Sequence, residues 1–306
     1  MAIEHREPKV GDRSPRQTLS YLRNLFEERG LRPKNKLGQN FLIDLNLLDL
    51  LVRAAELTRD DLALEIGSGT GGLTVRLAEH AGAVLSVEID PAFFTLAGET
   101  AGGRDNVTLV HADVLKGKNE LEPGVLAALD NLRQQSGCRH LKLVSNLPYA
   151  VATPVVANFL LTDLPFERLV ITVQWEIAER LMARPGTKHY GSVAVLVQSL
   201  AGVALVRRLP PAVFWPRPQV DSAIVCIVPD AARRAHVGDV RRFRNFLRDL
   251  YVHRRKNLRG ALSGFPSGRK PKEEVDRKLA ELGLEGTTRA ETLDVEQHLR
   301  LCAAFG

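Results

Sequence analysis

Residues 62–72 read Leu62-Ala63-Leu64-Glu65-Ile66-Gly67-Ser68-Gly69-Thr70-Gly71-Gly72. The apolar run has the length of a buried strand. It stops at glycines, which permit a tight turn and let a ligand approach the backbone at a helix N-terminus. A helix over 73–80 follows from the apolar spacing. Outward from here strand and helix alternate, with strands at 83–89, 107–111, 141–144 and 169–173 and helices at 91–100, 121–136 and 153–161. Alternation of this kind predicts a parallel sheet with helices on both faces. Helices at about 175–183 and 190–200 precede two late strands, 204–209 and 223–228, joined by the Pro-rich turn 210–218. Lying late and close together, these two are expected to form an antiparallel edge. From about residue 231 the chain reads as helical and basic to its end.

On the N-terminal side, Ser14-Pro15 reads as an N-cap with proline at the first helical position. Leu19, Leu22, Leu25 and Phe26 recur at helical spacing, and Gly30 is a C-cap candidate. Residues 32–38 form a basic linker. Asp44 reads as another N-cap, with Leu45, Leu48, Val52 and Ala55 on one helical face.

The 306 residues are 44% hydrophobic and 25% charged, which excludes a disordered chain, a collagen-like fibre and a coiled coil. No run approaches the ~18 apolar residues of a membrane span. The first residues, MAIEHREPKVGDR, hold no apolar segment of a secretory signal, and a cytoplasmic protein is expected. Cys138, Cys226 and Cys302 are far apart, in neither a zinc nor a disulfide spacing, and no metal site is expected. Residues 1–38 carry 9 Lys/Arg against 5 Asp/Glu, residues 39–230 carry 16 against 21, and residues 231–306 carry 17 against 10. The net charge of +6 is therefore concentrated at the ends. The densest stretch, 233–259, has ten Lys/Arg and two acids and includes Arg254, Arg255, Lys256 and Arg259. A solvated helical face and a polyanion footprint are both open readings.

Gly67 to Gly72 formally contains G-x-G-x-x-G, which suggests a dinucleotide. The wider pattern Glu65-x-Gly67-x-Gly69-x-Gly71 resembles the first motif of S-adenosylmethionine-dependent methyltransferases of Rossmann type. Glu88 lies 21 residues beyond Gly67, at the end of the second strand, where a carboxylate accepts from ribose hydroxyls. Asp113 follows the third strand, placed to accept from the amino group of an adenine. Three such elements at the carboxyl edge of one sheet point to a nucleoside cofactor. Dinucleotide and adenosylmethionine both remain open on these features.

The fourth strand ends in Asn146-Leu147-Pro148-Tyr149. The lone pair of an exocyclic base amine is delocalised into its ring, and methylation requires it to be localised on nitrogen. The Asn146 side-chain oxygen and a backbone carbonyl near Leu147–Pro148 can accept from that amine and favour its nucleophilic form. Pro148 stiffens the loop. Tyr149 offers a ring face to a base taken out of its stack.

These residues, in this order and spacing, resemble the ribosomal RNA small-subunit adenine N6,N6-dimethyltransferases over about residues 34–300. The other landmarks are Lys36-Leu37-Gly38-Gln39-Asn40-Phe41-Leu42, Val87-Glu88-Ile89-Asp90, Tyr190-Gly191-Ser192, Phe214-Trp-Pro216-Arg-Pro218-Gln-Val220-Asp221-Ser222, Arg254-Arg255-Lys256-Asn-Leu258-Arg259 and Arg289-Ala290-Glu291. The resemblance implies a class I methyltransferase domain over 39–230, after a basic extension (1–38) and before a basic, helical RNA-binding domain (231–306). It implies S-adenosyl-L-methionine as cofactor, held by Gln39, Asn40, Leu42, Gly67, Gly69, Glu88, Asp113 and Asn146. It implies Asn146 to Tyr149 as the catalytic loop. Phe214 matches an aromatic that stacks on the target adenine; a core phenylalanine in a Pro-rich turn is the competing reading. The implied substrate is a pair of adjacent adenosines in the 3′-terminal hairpin of 16S rRNA, within an immature small subunit, and the enzyme is expected as a monomer. Alternatives are a 23S rRNA adenine N6-methyltransferase of the antibiotic-resistance type, a mainly RNA-binding assembly factor, and, at the level of fold, a NAD-dependent dehydrogenase. The chain departs from the family at Ser68, where proline is common, in the longer 116–140 connection, and in its N-terminal extension, which packs on RNA or on the domain. These departures leave the RNA-docking surface open.

Overall fold

The computed structural model describes residues 19–34, 37–266 and 268–306. The expected Ser14 cap and Lys36 lie outside them. The chain enters through helix α1 (Leu19–Glu28), a two-residue strand β1 (Phe41–Leu42) and α2 (Leu45–Ala55), whose N-cap Asp44 accepts from Asn46 N–H as expected. Then come β2 (Asp61–Ile66), α3 (Gly72–His80), β3 (Ala83–Glu88), α4 (Pro91–Ala101) and β4 (Val107–His111). A hairpin of β5 (Leu115–Gly117) and β6 (Glu120–Leu121) precedes α5 (Pro123–Ser136), so the helix expected over 121–136 begins two residues later, after a strand pair that is not among the expected elements. Next are β7 (His140–Asn146), α6 (Ala152–Leu161), β8 (Phe166–Gln174), α7 (Trp175–Leu181), α8 (Ser192–Gln198) and β9 (Ala201–Leu209). The Pro-rich turn contains β10 (Phe214–Trp215) and leads to β11 (Ser222–Pro229). Helices α9 (Ala231–Val237), α10 (Val240–Tyr251), α11 (Leu258–Ser263), α12 (Lys272–Glu281) and α13 (Val295–Phe305) complete the chain.

Seven strands form one sheet in the order β4-β3-β2-β7-β8-β11-β9. The first five are parallel, and β11 runs antiparallel to both β8 and β9. The antiparallel edge is present, with the last strand inserted between β8 and the true edge β9. Every residue of β2 and β3 is buried, as expected of strands covered on both faces. The family-level reading of a mostly parallel Rossmann-like sheet with C-terminal helices therefore holds.

The composition changes at residue 231, but the apolar core does not. One cluster runs from Leu62 and Leu143 in the sheet through Val195 on α8 to Phe243, Phe246 and Leu250 on α10 and Leu301 on α13. The helical region is packed onto the sheet layer through α8. Among the described residues no helix is long and apolar enough to cross a membrane, and no group of acids, histidines or cysteines could hold a metal ion.

Candidate active site

The chain crosses from one half of the sheet to the other between β2, which is flanked by β3, and β7. Ligands of open α/β sheets bind at the carboxyl edge of such a switch point. There β2 turns through Gly67 (φ +84°), Gly69 (φ +53°) and Gly71 (φ +77°), a left-handed region that other residues avoid. Gly67 N–H donates to Val87 O (2.7 Å), and Gly69 N–H donates to Glu88 Oε2 (2.9 Å). A β-carbon on Gly69 would lie 3.0 Å from the Phe41 ring, and one on Gly67 3.3 Å from the Pro148 ring. The glycine loop is thus enclosed between the 37–42 segment and the loop after β7. The cleft so formed has a volume of about 310 Å³.

Three acids line this cleft: Glu65, Glu88 and Asp113. Glu65 is fully buried and accepts from the Ser86 hydroxyl (2.6 Å) and the Thr74 hydroxyl. Burial pushes its carboxyl up to about 8, against the pull of these two donors. Burial also raises Glu88, opposed by the N–H groups of Asp90 and Gly69. Asp113 Oδ1 accepts from Leu115 N–H at 2.9 Å. Among the described residues of the lining there is no Lys or Arg. With Glu65 held mostly protonated by its burial, Glu88 and Asp113 remain as the acidic pair, a set that suits a neutral or cationic nucleoside better than a dinucleotide, whose pyrophosphate would meet no counter-charge in this lining.

The segment over the cleft is pinned at several points. Gln39 Nε2 donates to Asp90 Oδ2 (3.1 Å), and Gln39 Oε1 accepts from Lys34 N–H (2.6 Å). The Gln39 amide therefore holds the segment closed from behind, at the end of β3. Burial pushes Asp90 up, but the Lys34 ammonium at 2.9 Å and the Gln39 amide outweigh it and hold the carboxyl below its ordinary range. Leu42 is buried and paired with Phe214 across β1 and β10, while Phe41 pairs with Trp215. Above them sits α1. Its buried Phe26 has ring centroids 5.3 Å from Phe41, 5.4 Å from Phe93 and 4.9 Å from Trp215. Arg29 makes two hydrogen bonds to the Glu99 carboxylate on α4. The N-terminal helix thus packs on the domain, and Phe41 and Phe93 are themselves cleft walls. Phe26 and Phe93 carried no motif; only the helical spacing of apolar residues marked Phe26 as inward-facing.

Asn146, at the end of β7, lines the same cleft. Its Nδ2 donates to Asn40 O at 2.9 Å, which fixes the amide and leaves Oδ1 as its acceptor. The Leu147 side chain is buried in the core, so this residue can act at the site only through its backbone. Pro148 lines the cleft. Tyr149 lines a second pocket of about 330 Å³ with Gly38, Gln39, Asn40, Ala150 and Gln174. Residues 38–40 border both cavities. The Tyr149 hydroxyl lies 2.6 Å from the Ser222 hydroxyl at the start of β11. Burial raises the Tyr149 phenol, against the Ser222 hydrogen bond. Gly38 (φ +65°) lies so close that a β-carbon would be 3.1 Å from Tyr149 N. Gly38 and Ser222 stood inside quoted motifs, but nothing local in the sequence joins either of them to Tyr149.

The expected RNA contacts are only partly available. Phe214 is 2% exposed, in a core cluster with Leu42, Leu209 and Ile224. Pairing of β10 with β1 turns its ring inward, so the core reading of Phe214 replaces the stacking one. Arg254 pairs with Glu291 (2.8 Å) and donates to Lys188 O, and Arg259 pairs with Asp276 (2.6 Å). Arg233, Arg234 and Arg242 donate to backbone carbonyls of neighbouring elements. Much of the basic stretch therefore ties the C-terminal helices to one another and to the sheet domain. Arg255 and Lys256 remain exposed and make no ion pair among the described residues.

Comparison with known proteins agrees with this geometry. The sequence profile of the family described as "Ribosomal RNA adenine dimethylase" matches residues 30–305. The chain is 39% identical to the ribosomal RNA small subunit methyltransferase A of Pediococcus pentosaceus, over 91% of this chain and 92% of that one. It is 36% identical to the protein of the same description from Geobacillus kaustophilus, over 92% and 94%. Among solved structures it is similar to a dimethyladenosine transferase from Plasmodium falciparum (TM-score 0.68, 24% identity, covering 84% of this chain and 94% of that one). It is also similar to the 23S rRNA methyltransferase ErmE (TM-score 0.59, 26% identity, covering 87% and 99%). With the family's profile spanning nearly all the described residues, and a glycine cradle, three acids and Asn146 converging at one sheet edge, the chain belongs to the ribosomal RNA adenine dimethylase family of methyltransferases.

Proposed function

We propose that this enzyme uses S-adenosyl-L-methionine to dimethylate N6 of two adjacent adenosines in the 3′-terminal hairpin of 16S rRNA, in an immature small subunit in the cytoplasm, and acts as a monomer. The observation that carries the chemistry is the Asn146 amide, fixed in the wall of the first cavity by its bond to Asn40, a residue that borders both cavities. The cofactor cleft fits the donor. Its glycine loop leaves room where β-carbons would crowd Phe41 and Pro148, and its acids are matched to a cation. Gly67, Gly69, Glu88, Asp113 and Asn146 would hold the cofactor, with Asn40 and Leu42 closing over it and Gln39 anchoring that closure. When bound, S-adenosylmethionine supplies an electrophilic methyl group.

The protein's own part begins with the base. Tyr149, stiffened by Pro148 and tethered by Ser222, stacks the extruded adenine in the second pocket. Asn146 Oδ1 and the backbone carbonyl near Leu147 accept from the N6 amine, drawing its lone pair out of conjugation and stabilising the developing positive charge. No general base is needed, because an N-alkylated adeninium is acidic and releases its proton to water. The Tyr149 phenol, raised by burial, stays protonated and serves as a platform.

Labelled methyl transfer onto undermethylated small subunits, with naked large-subunit rRNA as comparison, tests the substrate. Label on the small subunit supports the reading; label only on the large-subunit RNA overturns it. Asn146→Ala should abolish transfer and leave cofactor binding intact; unchanged turnover would refute the role of Asn146.

A further inference from the structure

Next to the Tyr149 pocket lies a second flat surface. Gln174, a wall of that pocket, ends β8 and is the register partner of Ser222, the residue that tethers Tyr149. The backbone N–H of the next residue, Trp175, donates to Asp221 O at 2.9 Å. Asp221 Oδ2 accepts from Arg208 Nε (2.8 Å) and pairs with Arg208 Nη2 (2.7 Å). Arg208 Cζ lies 4.3 Å from the centroid of the Trp175 ring. The guanidinium is therefore supported by an indole and tied at its edge by a carboxylate, while its side chain remains 56% exposed. All of this sits at the sheet edge that carries Asn146, because Leu209 pairs with Ser222 and Ser222 with Gln174.

The arrangement has a specific chemical character. An exposed arginine usually gives up rotamer freedom when it binds a ligand; here stacking and the ion pair have already restricted it. Asp221 offsets much of its charge, which makes it a poor phosphate clamp. What it presents is a flat, weakly hydrated cationic plane, and nucleobases of single-stranded RNA stack on such planes as they do on aromatic rings. We propose that Arg208, held on Trp175 by Asp221, is the stacking platform for the base adjacent to the one in the Tyr149 pocket. It is a positioning residue for RNA. The two platforms, Tyr149 and Arg208, would hold neighbouring nucleotides splayed apart, as a substrate with two adjacent target adenosines requires. This rests on the proposed reading of the substrate.

The test uses the full chain with undermethylated small subunits and the variants Arg208→Lys, Arg208→Ala and Trp175→Leu. Arg208→Lys keeps the charge and the possibility of an Asp221 ion pair but removes the plane. The expected result is a roughly tenfold rise in KM for subunits in all three, with unchanged cofactor Kd and melting temperature. The slope of log KM against log salt should stay as in the wild type. Wild-type KM in Arg208→Lys, or a salt slope reduced by about 1 in Arg208→Ala as a lost phosphate contact would give, overturns the platform. Absence of transfer by the wild type itself would instead overturn the substrate reading, and this inference with it. If Trp175→Leu alters folding, its melting temperature will fall, and the two Arg208 variants decide the matter.

Discussion

The hydroxyls of Tyr149 and Ser222 lie 2.6 Å apart, tying the loop after a parallel strand to the first residue of an antiparallel one 73 positions later. On the proposed reading, in which the Tyr149 ring stacks the target base beside Asn146, the platform gains from such a tether, since a half-buried tyrosine otherwise swings about two side-chain bonds. Ser222→Ala should lower kcat on the RNA substrate roughly tenfold, about 1.4 kcal/mol and so at the upper end of the 0.5–1.5 kcal/mol of an ordinary hydrogen bond, because the Tyr149 hydroxyl is left unpaired. Cofactor Kd should not change. In a Tyr149→Phe background the same substitution should cost almost nothing, and a double-mutant cycle measures the difference. Additive losses would show that Ser222 acts elsewhere.

Phe26 of α1 and Phe41 over the glycine loop are in edge-to-face contact at 5.3 Å. Removing the Phe26 ring should undock α1 and loosen Phe41, a wall of the cofactor cleft. Phe26→Ala is expected to raise cofactor Kd about tenfold, near 1.4 kcal/mol. Amide exchange should accelerate over residues 19–28, with little change in the central strands. Calorimetric titration with S-adenosylmethionine and exchange mass spectrometry check the two halves; an unchanged Kd would make α1 a bystander.

At the opposite, amino edge of the sheet, Lys142 Nζ lies 3.0 Å from Asp61, which is fully buried and also accepts from Thr58. Lys142→Met leaves that carboxylate without its cation, and the loss should be about 3 kcal/mol in urea unfolding. Lys142→Met combined with Asp61→Asn should recover a substantial part. A single variant as stable as the wild type would mean that Thr58 alone satisfies Asp61.

Two buried groups give stability opposite dependences on pH. His298 is wholly buried; burial pushes it down to about 4, opposed by its hydrogen bond to the Asp294 carbonyl. Its ordinary value is about 6.5, so the unfolded chain takes up a proton that the folded chain refuses as pH falls below that point. The stability it contributes is complete above pH 6.5 and is lost toward pH 4, roughly 2 kcal/mol of it by pH 5. Glu65, pushed up to about 8, has the reverse sign: its contribution is complete below its ordinary 4.5 and declines as pH rises to about 8. Urea titrations of wild type, His298→Gln and Glu65→Gln between pH 5 and 8 separate them. His298→Gln should gain relative to wild type as pH falls, and Glu65→Gln should gain relative to wild type as pH rises. Parallel curves for all three would refute both assignments.

Much of the fold was legible because its signals are local. Turn glycines after an apolar run, strand–helix alternation, and a cap such as Asp44 depend on a few neighbouring residues. The same locality brought Gly67, Glu88, Asp113 and Asn146 to one edge, since each follows a strand of the same parallel sheet and all parallel strands end on the same side. The β5–β6 hairpin escaped because its two- and three-residue strands are too short to show a period.

The chemistry of this protein could be read from its order of residues; the surface that meets RNA could not. Phe214 and Arg254 had the residue types of nucleic-acid contacts, yet one is turned into the core by its pairing with Leu42 and the other is engaged by Glu291. Which face a side chain shows, and which opposite charge it meets, is set by partners tens to hundreds of residues away. Those partners are chosen by the packing of whole elements, so Ser222 behind Tyr149, Phe26 behind Phe41 and Trp175 beneath Arg208 exist as relationships only in the folded chain.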